Sequence, residues 1–331
     1  MSSPSGLERA AAVARRLRPP SARSLAGRLE FPLRAPSTPA SVAPLPVERR
    51  TGADYDTDWA RRFPARWARV VALEGLIRPS IRALADPERR GLDRLTALAD
   101  LEQPVIFAAN HHSHLDAGLL LSSLPEPWRY KVFAGAAADY FFKTRATGAV
   151  SALALNAIPI ERTKVTRRSA DQAAELIDGG WSMVIFPEGG RSPDGWGQKF
   201  RGGAAYLAIR CRVPVVPVHL QGTDRILPKG SRRPRPNTTV VTFGSPLWPV
   251  DGEDSRRFAA RVESAVAALA EEASTDWYSA RLRAHARQTA PLTGPRASGW
   301  RRAWALGPSP SERTDRRRAR TGTAWPDVGP H

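Results

Sequence analysis

An abrupt change from apolar to polar residues near position 110 constrains the fold of this chain more than any other feature. The apolar run 104–109 ends in the polar segment 110–116, and the apolar segment 117–124 follows at once. A short apolar run, a polar turn and a longer apolar segment predict a strand, a loop and a helix. Because α/β proteins place chemistry at the carboxyl ends of their strands, the polar segment is the first candidate for a functional site.

The same alternation continues along the chain and predicts an α/β sandwich. Ser169 is a plausible N-cap of its helix, and Pro214 and Pro217 favour an edge or a bulge for the strand that contains them. The predicted strands are 104–109, 129–134, 157–160, 181–186, 213–220 and 238–243, and the predicted helices are 114–123, 136–148, 169–178, 202–210 and 256–272.

A different pattern precedes the first predicted strand. Between 59 and 84, apolar residues recur at spacings of three and four, with arginines on the other side. This pattern predicts an amphipathic helical lead-in over 58–100, which Pro64 and Pro79 divide. Tryptophan and phenylalanine opposite arginine suit a membrane interface. A helix packed on the domain that follows explains the pattern equally well.

The positive charge of the chain lies mostly at its two ends. The formal net charge is +18, and residues 1–50 carry nine basic and three acidic side chains, whereas 281–331 carry eleven and three. We predict a disordered basic tail rich in Arg, Pro and Ser over 1–57, and a second basic, mostly disordered tail over 281–331. Basic ends attract polyanions, either nucleic acid or an anionic membrane face.

Two further observations bound the class of protein. Cys211 is the single cysteine, which excludes an intramolecular disulfide and fits a reducing compartment. No apolar run approaches the roughly 18 residues of a membrane span. We therefore expect a soluble or peripheral protein.

Three interpretations compete for the polar segment. His112, His114 and Asp116 have the spacing of the first ligands in metallo-β-lactamase-like hydrolases, although Ala117 stands where a further histidine is expected. Alternatively, His111 meets Asp116 at the turn, so that the carboxylate fixes the tautomer of a general base. In the third interpretation the segment is only a polar helix cap.

Four segments in a fixed order favour the general base. Asn110-His111-x-Ser113-x-x-Asp116 resembles the first motif of the glycerolipid acyltransferase family, which includes the bacterial 1-acyl-glycerol-3-phosphate acyltransferases. Ile-Pro-Ile-Glu-Arg at 158–162, Phe-Pro-Glu-Gly-Gly-Arg-Ser at 186–192 and Val-Pro-Val-Val-Pro-Val at 213–218 resemble the second, third and fourth motifs. The resemblance runs from about 60 to 275. It departs from the family at Gly190, where threonine is usual.

The resemblance implies a glycerol-3-phosphate acyltransferase-like mixed sheet flanked by helices, in a single acyltransferase domain over 101–280. It implies that His111 is the catalytic base and that Asp116 orients it. Backbone N–H groups at the helix start after Ser113 are candidate oxyanion donors. The residues implied in acceptor binding are Arg162, Glu188, Gly189, Arg191, Ser192 and Arg201. Arginines at this position can fork onto a phosphate; internal ion pairs of Arg162 with Glu161 and of Arg191 with Glu188 are the alternative.

The implied reaction moves an acyl group from acyl-CoA or acyl carrier protein, as co-substrate, to the hydroxyl of a phosphorylated lysophospholipid acceptor. The expected acceptor is 1-acyl-glycerol-3-phosphate, with phosphatidic acid as the product. This reaction requires no metal and no other cofactor. The expected partner is a membrane surface rather than nucleic acid, which places the protein in the cytoplasm, peripheral on the inner face of the cell membrane. Two alternatives stay open, namely a metallo-hydrolase built on His112, His114 and Asp116, and a nucleic-acid binder that uses the Arg-rich tails.

Overall fold

The computed structural model describes residues 51–161, 167–192, 195–227 and 233–294. The predictions for the two tails therefore lie outside the described residues over 1–50 and 295–331, and so does the predicted phosphate ligand Arg162.

Seven strands of the described region form one mixed sheet, which confirms the predicted α/β class. The strands are β1 (Pro87–Arg90), β2 (Ile106–Ala109), β3 (Val132–Ala137), β4 (Ile158–Ile160), β5 (Ser182–Ile185), β6 (Val215–Gln221) and β7 (Thr239–Phe243). Their spatial order is β1-β7-β6-β2-β5-β3-β4. The five strands from β6 to β4 run parallel, whereas β7 is antiparallel to β6 and β1 is parallel to β7.

Helices pack on both faces of this sheet. They are α1 (Ala65–Ala72), α2 (Arg78–Ala85), α3 (Thr96–Asp100), α4 (Leu115–Ser123), α5 (Ala138–Phe141), α6 (Arg145–Leu155), α7 (Arg167–Asp178), α8 (Gly203–Cys211), α9 (Thr223–Ile226), α10 (Ser255–Ser274) and α11 (Trp277–His285). One face carries α2 and α4, and the other carries α7, α8 and α10. None of the helices in the described ranges has the length and apolarity needed to cross a membrane.

Strand β2 contributes side chains to both hydrophobic cores, and this position accounts for its apolar sequence. Phe107 and Ala109 pack with the helices of one face, and Ile106 and Ala108 pack with the helices of the other. All four side chains are fully buried. A strand buried on both faces must be apolar at every position, which accounts for the uninterrupted run before the polar segment.

The prediction of an edge position for the strand at 213–220 is wrong, because β6 lies between β7 and β2. Pro214 precedes the strand, and Pro217 lies just outside the antiparallel ladder that joins 218–221 to β7. The carbonyl oxygen of Pro217 accepts a hydrogen bond from Gly244 N at 2.8 Å. Each proline thus falls where an N–H is not needed, so a central strand tolerates both.

Three helix predictions differ from the structure. The region 136–148 contains the end of β3, the short α5 and the start of α6, because Thr144 caps α6 with a reciprocal pair of hydrogen bonds to Thr147. Ser169 lies inside α7 and is buried, so it is not the N-cap. The helix is not broken at Pro79, which lies in the first turn of α2. A π-helical turn, Leu73–Ile77, joins α1 to α2 just before it.

The described residues include some on the outer side of both predicted domain boundaries. Gly52 N donates to Phe142 O at 2.8 Å, so residues before 58 already pack on the domain. At the other end, α11 crosses residue 280.

Candidate active site

The site lies at one edge of the sheet, where the neighbouring parallel strands β6, β2 and β5 end. Asn110 continues the pairing of β2 with β6 beyond the last strand residue, because its side chain donates to Leu220 O at 2.9 Å and accepts from Leu220 N at 2.7 Å. This side chain mimics a backbone ladder pair. It fixes the point at which the chain turns away from the sheet, and His111 is the next residue.

The side chains of His111 and Asp116 meet at this turn. Asp116 is fully buried in the first turn of α4, and its Oδ2 lies 2.9 Å from His111 Nδ1. The same oxygen accepts the backbone N–H groups of His112 at 2.6 Å and Ser113 at 2.8 Å. Because a carboxylate only accepts hydrogen bonds, the proton of the neutral imidazole lies on Nδ1 and the Nε2 lone pair is left for a substrate.

Two further contacts hold His111, one through its ring and one through its backbone. Its ring stacks on Phe186, with 4.3 Å between the ring centroids and an angle of 23° between the planes. The side chain keeps 18% of its surface exposed. The backbone oxygen of His111 accepts from Ser192 N at 2.8 Å. The ring is thus fixed in orientation and still accessible.

Glu188 joins the loop after β2 to the loop after β5. It is 1% exposed. Its Oε1 accepts from His111 N at 3.0 Å and its Oε2 accepts from Gln198 N at 2.9 Å. These contacts make Glu188 a positioning residue for the backbone of His111. Its predicted contact with the acceptor stays a prediction.

The hydroxyl of Ser192 forms hydrogen bonds within its own loop. It donates to Trp196 O at 2.7 Å and accepts from Gly195 N at 2.9 Å. The residue is buried. The structure therefore gives the Ser192 hydroxyl two partners within the protein, and its predicted contact with a substrate stays untested.

The structure brings together two other predicted residues, Gly189 and Arg201. Gly189 has φ +71°, and a Cβ atom there would lie 2.8 Å from the guanidinium carbon of Arg201. The Arg201 backbone N–H also donates to Pro187 O at 2.9 Å. The left-handed backbone at 189 favours glycine, and a Cβ atom there would displace the guanidinium of Arg201 from its present position.

Arg191 is half-buried, and within the described part of the chain its guanidinium forms no ion pair. Among the described residues, Arg191 therefore does not form the alternative ion pair with Glu188. Arg162 lies outside the described residues, so neither its contact with a phosphate nor its pairing with Glu161 is described.

His114 has partners that the sequence did not indicate. Its ring stacks on Tyr140, with 5.3 Å between the centroids and 17° between the planes, and Tyr140 Oη lies 3.2 Å from His114 Nε2. Phe141 meets the same ring edge-on at 6.3 Å. The polar cap was recognisable from sequence, but an aromatic partner 26 positions away was not.

Electrostatics distinguish the remaining histidines. Partial burial lowers the pKa of His114, and the nearby charges of Arg191 and His111 lower it further, against a smaller opposing effect of Asp116. Burial on β6, followed by the proximity of His112, lowers the pKa of His219 to about 4. Both imidazoles are therefore neutral near pH 7.

Two of the three residues of the alternative metal site, His114 and Asp116, have other partners. The ring of His114 lies against Tyr140, and Asp116 Oδ2 accepts backbone N–H groups and His111. Among the described residues, no three His, Cys, Asp or Glu side chains come together so as to hold a metal ion.

Two of the expected oxyanion donors at the start of α4 are already engaged. Leu115 N donates to the Ser113 hydroxyl at 3.3 Å, and Asp116 N donates to Ser113 O at 3.2 Å. The hydroxyl of Ser113 in turn donates to Leu227 O at 3.0 Å. These two N–H groups stabilise the turn and are not available to a reacting carbonyl.

Comparison with known proteins agrees with this arrangement. Residues 87–221 match the family model "Acyltransferase". This range extends from β1 through β6 and includes both loops of the site. The sequence resemblance to the glycerolipid acyltransferases is thereby confirmed.

Curated relatives carry the same kind of name. The chain is 34% identical over 140 residues to a chloroplastic 1-acyl-sn-glycerol-3-phosphate acyltransferase of Brassica napus, covering 41% of this chain and 38% of the relative. It is 30% identical over 175 residues to the 1-acyl-sn-glycerol-3-phosphate acyltransferase of Pseudomonas aeruginosa, covering 52% of this chain and 63% of the relative. The chain thus spans well under two thirds of the Brassica protein.

A solved structure shows the same fold. The crystal structure of a 1-acyl-sn-glycerophosphate acyltransferase from Thermotoga maritima superposes with a TM-score of 0.52 and 24% identity, covering 67% of this chain and 84% of that protein. This likeness supports the mixed sheet with flanking helices.

Proposed function

We propose that the protein transfers an acyl group from a thioester to the free hydroxyl of 1-acyl-glycerol-3-phosphate, giving phosphatidic acid. The proposal proceeds from the match of residues 87–221 to the acyltransferase family model. The carrying observation is the pair formed by His111 and Asp116, which leaves one imidazole nitrogen free at the edge where three parallel strands end. The names of the curated relatives support the choice of acceptor.

His111 accepts and then returns the proton that moves in this reaction. Its Nε2 takes the proton of the acceptor hydroxyl as the oxygen attacks the thioester carbonyl carbon. The new C–O bond forms first, the C–S bond then breaks, and the leaving thiolate takes the proton back from the imidazolium. Asp116 stabilises the imidazolium through Nδ1. The reaction balances with a hydroxyl and a thioester alone, and the proposed steps use no metal and no other cofactor.

Arginines on the loop after β5 bind the phosphate of the acceptor in this proposal. Arg191 has no ion-pair partner within the described residues, and Arg201 lies exposed against Gly189. A phosphate monoester carries more than one negative charge, so two or more arginines suit it better than one. Arg162 completes this set in the proposal. Either acyl-CoA or an acyl carrier protein fits as donor, because both present the same thioester.

We further propose that α1, together with Phe63 just before it, docks the protein on the inner face of the cell membrane. Phe63, Trp67 and Val71 follow one another at spacings of four and are 80%, 63% and 67% exposed. Arg62 and Arg66 are exposed beside them. Aromatic and aliphatic side chains next to arginines fit an anionic lipid interface, where the lysophospholipid acceptor also resides.

An acceptor panel tests the reaction. Purified full-length protein is incubated with acyl-CoA or acyl carrier protein and with 1-acyl-glycerol-3-phosphate, glycerol 3-phosphate or a lysophospholipid without a phosphomonoester. We expect turnover with the first acceptor, its loss in His111→Ala, and unchanged turnover in His285→Ala, which alters an exposed histidine of α11. Undiminished turnover in His111→Ala would refute the assignment of the base.

A further inference from the structure

A second imidazole lies beside the proposed base. His114 is exposed at the N-cap position of α4, and its ring is held against Tyr140 and Phe141. The charge of His111 and that of Arg191 both act on it. His114 is therefore part of the rim of the same site, although the proposed reaction gives it no role.

Within the described part of the chain, one nitrogen of this imidazole has a hydrogen-bond partner. Tyr140 Oη engages Nε2 at 3.2 Å, whereas Nδ1 forms no hydrogen bond with the residues that the structure describes. When the tyrosine hydroxyl donates to Nε2, the neutral ring carries its proton on Nδ1. An exposed N–H donor then lies near a guanidinium that also has no ion-pair partner in the described ranges.

The charges around His114 are unbalanced. The charged or titratable groups that face its ring are Arg191, His111, Asp116 and Tyr140. The single carboxylate among them, Asp116, directs Oδ2 at His111 and at two backbone N–H groups. An anion placed between His114 and Arg191 would therefore meet two donors, and Asp116 is the one carboxylate among the described groups that act on His114.

We propose that His114 and Arg191 together bind a phosphate group of a substrate, with Tyr140 holding the imidazole in place. Arginine forks onto phosphate oxygens, and an imidazole N–H adds a directional hydrogen bond to a charged acceptor. The inference rests on the proposed function, because it concerns a substrate of the same site. The phosphate belongs either to the acceptor or to the pantetheine-bearing donor.

Kinetics of His114→Phe separate these two sources. Phenylalanine retains an aromatic ring against Tyr140 and removes both nitrogens. Because a hydrogen bond to a charged group is lost, we expect the KM of the phosphorylated acceptor to rise about ten-fold or more, with kcat changed by less than about threefold. A rise in the KM of the donor instead assigns the phosphate to the donor. His285→Phe is the matched control, and an unchanged KM for both substrates overturns the proposal.

A binding measurement decides the matter without turnover. In NMR titrations of the wild-type protein, glycerol 3-phosphate should raise the pKa of the His114 imidazole, since a bound dianion opposes the effect of Arg191. Glycerol should leave that pKa unchanged, and so should glycerol 3-phosphate added to Arg191→Gln. No shift with glycerol 3-phosphate assigns the phosphate to the donor if coenzyme A shifts the pKa instead, and no shift with either compound overturns the proposed site. A shift in a protein that acylates no acceptor would instead support the site and refute the proposed function.

Discussion

The imidazole Nδ1 of His111 lies 2.9 Å from Oδ2 of Asp116, although the two residues are five positions apart. On a straight helix this spacing would separate the side chains by about 140°. They meet because the chain turns between β2 and α4, and the same carboxylate oxygen accepts two backbone N–H groups of that turn. One buried side chain thus shapes the turn and orients the proposed base.

We expect His111→Ala and Asp116→Asn to lower kcat by about 10²–10⁴-fold, which is the usual contribution of a general base and its partner. Asparagine can still accept the hydrogen bonds of the turn, but it lacks the charge that stabilises an imidazolium. The melting temperature of Asp116→Asn should therefore stay close to that of the wild type. Steady-state kinetics and thermal unfolding check both statements, and wild-type kcat in Asp116→Asn would contradict the role of the charge.

Glu188→Gln should weaken the connection between the loops after β2 and β5. Glutamine presents one oxygen to two backbone N–H groups, so one of them faces a donor. We expect a loss of about 1–3 kcal/mol in the free energy of unfolding, together with a lower kcat, because His111 loses a backbone contact. Denaturant unfolding measures the loss. Glu102→Gln, at an exposed position, is the control, and an equal effect of both changes would argue against this role of Glu188.

Gly91→Ala should destabilise the fold more than Gly52→Ala. Both glycines have a positive φ, of +74° and +68°. A Cβ atom at 91 would lie 2.1 Å from Phe243 O, whereas at 52 no atom lies within 4 Å. Gly52→Ala should cost about 1 kcal/mol of unfolding free energy, from backbone strain alone. Gly91→Ala should cost clearly more in the same urea titration, and equal costs would show that the contact with Phe243 relaxes.

The central half of the fold was predictable because its strands are apolar on both faces. Strand β2 and the polar segment after it were located from residue type alone, whereas the pairing of His111 with Asp116 was favoured over its alternatives by the resemblance to the glycerolipid acyltransferases. Strand β1 was not predicted, because Pro87–Arg90 contains no apolar run. It forms by pairing in parallel with β7, about 150 positions later in the chain, and local patterns carry no information on such a partner.

The partners of the site residues were harder to predict than their positions. The motif residues Glu188 and Ser192 were recognised from sequence, but the backbone groups that engage them follow from loop conformation.

The orientation of α1 could not be predicted from the sequence either. Arg69 is buried, donates to Ala60 O at 2.8 Å and lies over the ring of Trp181, while Trp67 faces outward. A helical stripe does not indicate which of its sides a domain will cover.

The exposed face of α1 should determine binding to membranes. We expect Trp67→Ser combined with Phe63→Ser to lower partitioning onto vesicles of phosphatidylglycerol by about ten-fold or more, since both side chains lose their apolar contact with lipid. Binding of the wild type should also weaken with added salt, because Arg62 and Arg66 flank the face. Co-sedimentation measures both effects. Val250→Ser removes an equally exposed apolar side chain outside α1; if it lowers binding as much, the docking face is wrong.

His219 should make the stability of the fold depend on pH. Burial and the proximity of His112 lower its pKa from 6.5 to about 4. Between these values the unfolded chain binds more protons than the folded one, so the free energy of unfolding falls as the pH decreases from 6.5 towards 4. From pH 7 to pH 5 this group alone should remove about 2 kcal/mol.

Replacing His219 isolates this contribution from those of other titrating groups. His219→Gln should unfold in denaturant with a smaller loss of free energy between pH 7 and pH 5 than the wild type, because glutamine does not titrate. His285→Gln, which changes an exposed histidine, should retain the wild-type slope. The His219 side chain lies on β6, where its Nδ1 is buried without a hydrogen-bond partner among the described residues, so a charged imidazole there would have no anion to stabilise it. Equal slopes in the wild type and His219→Gln would show that this histidine takes up its proton without cost in the folded state.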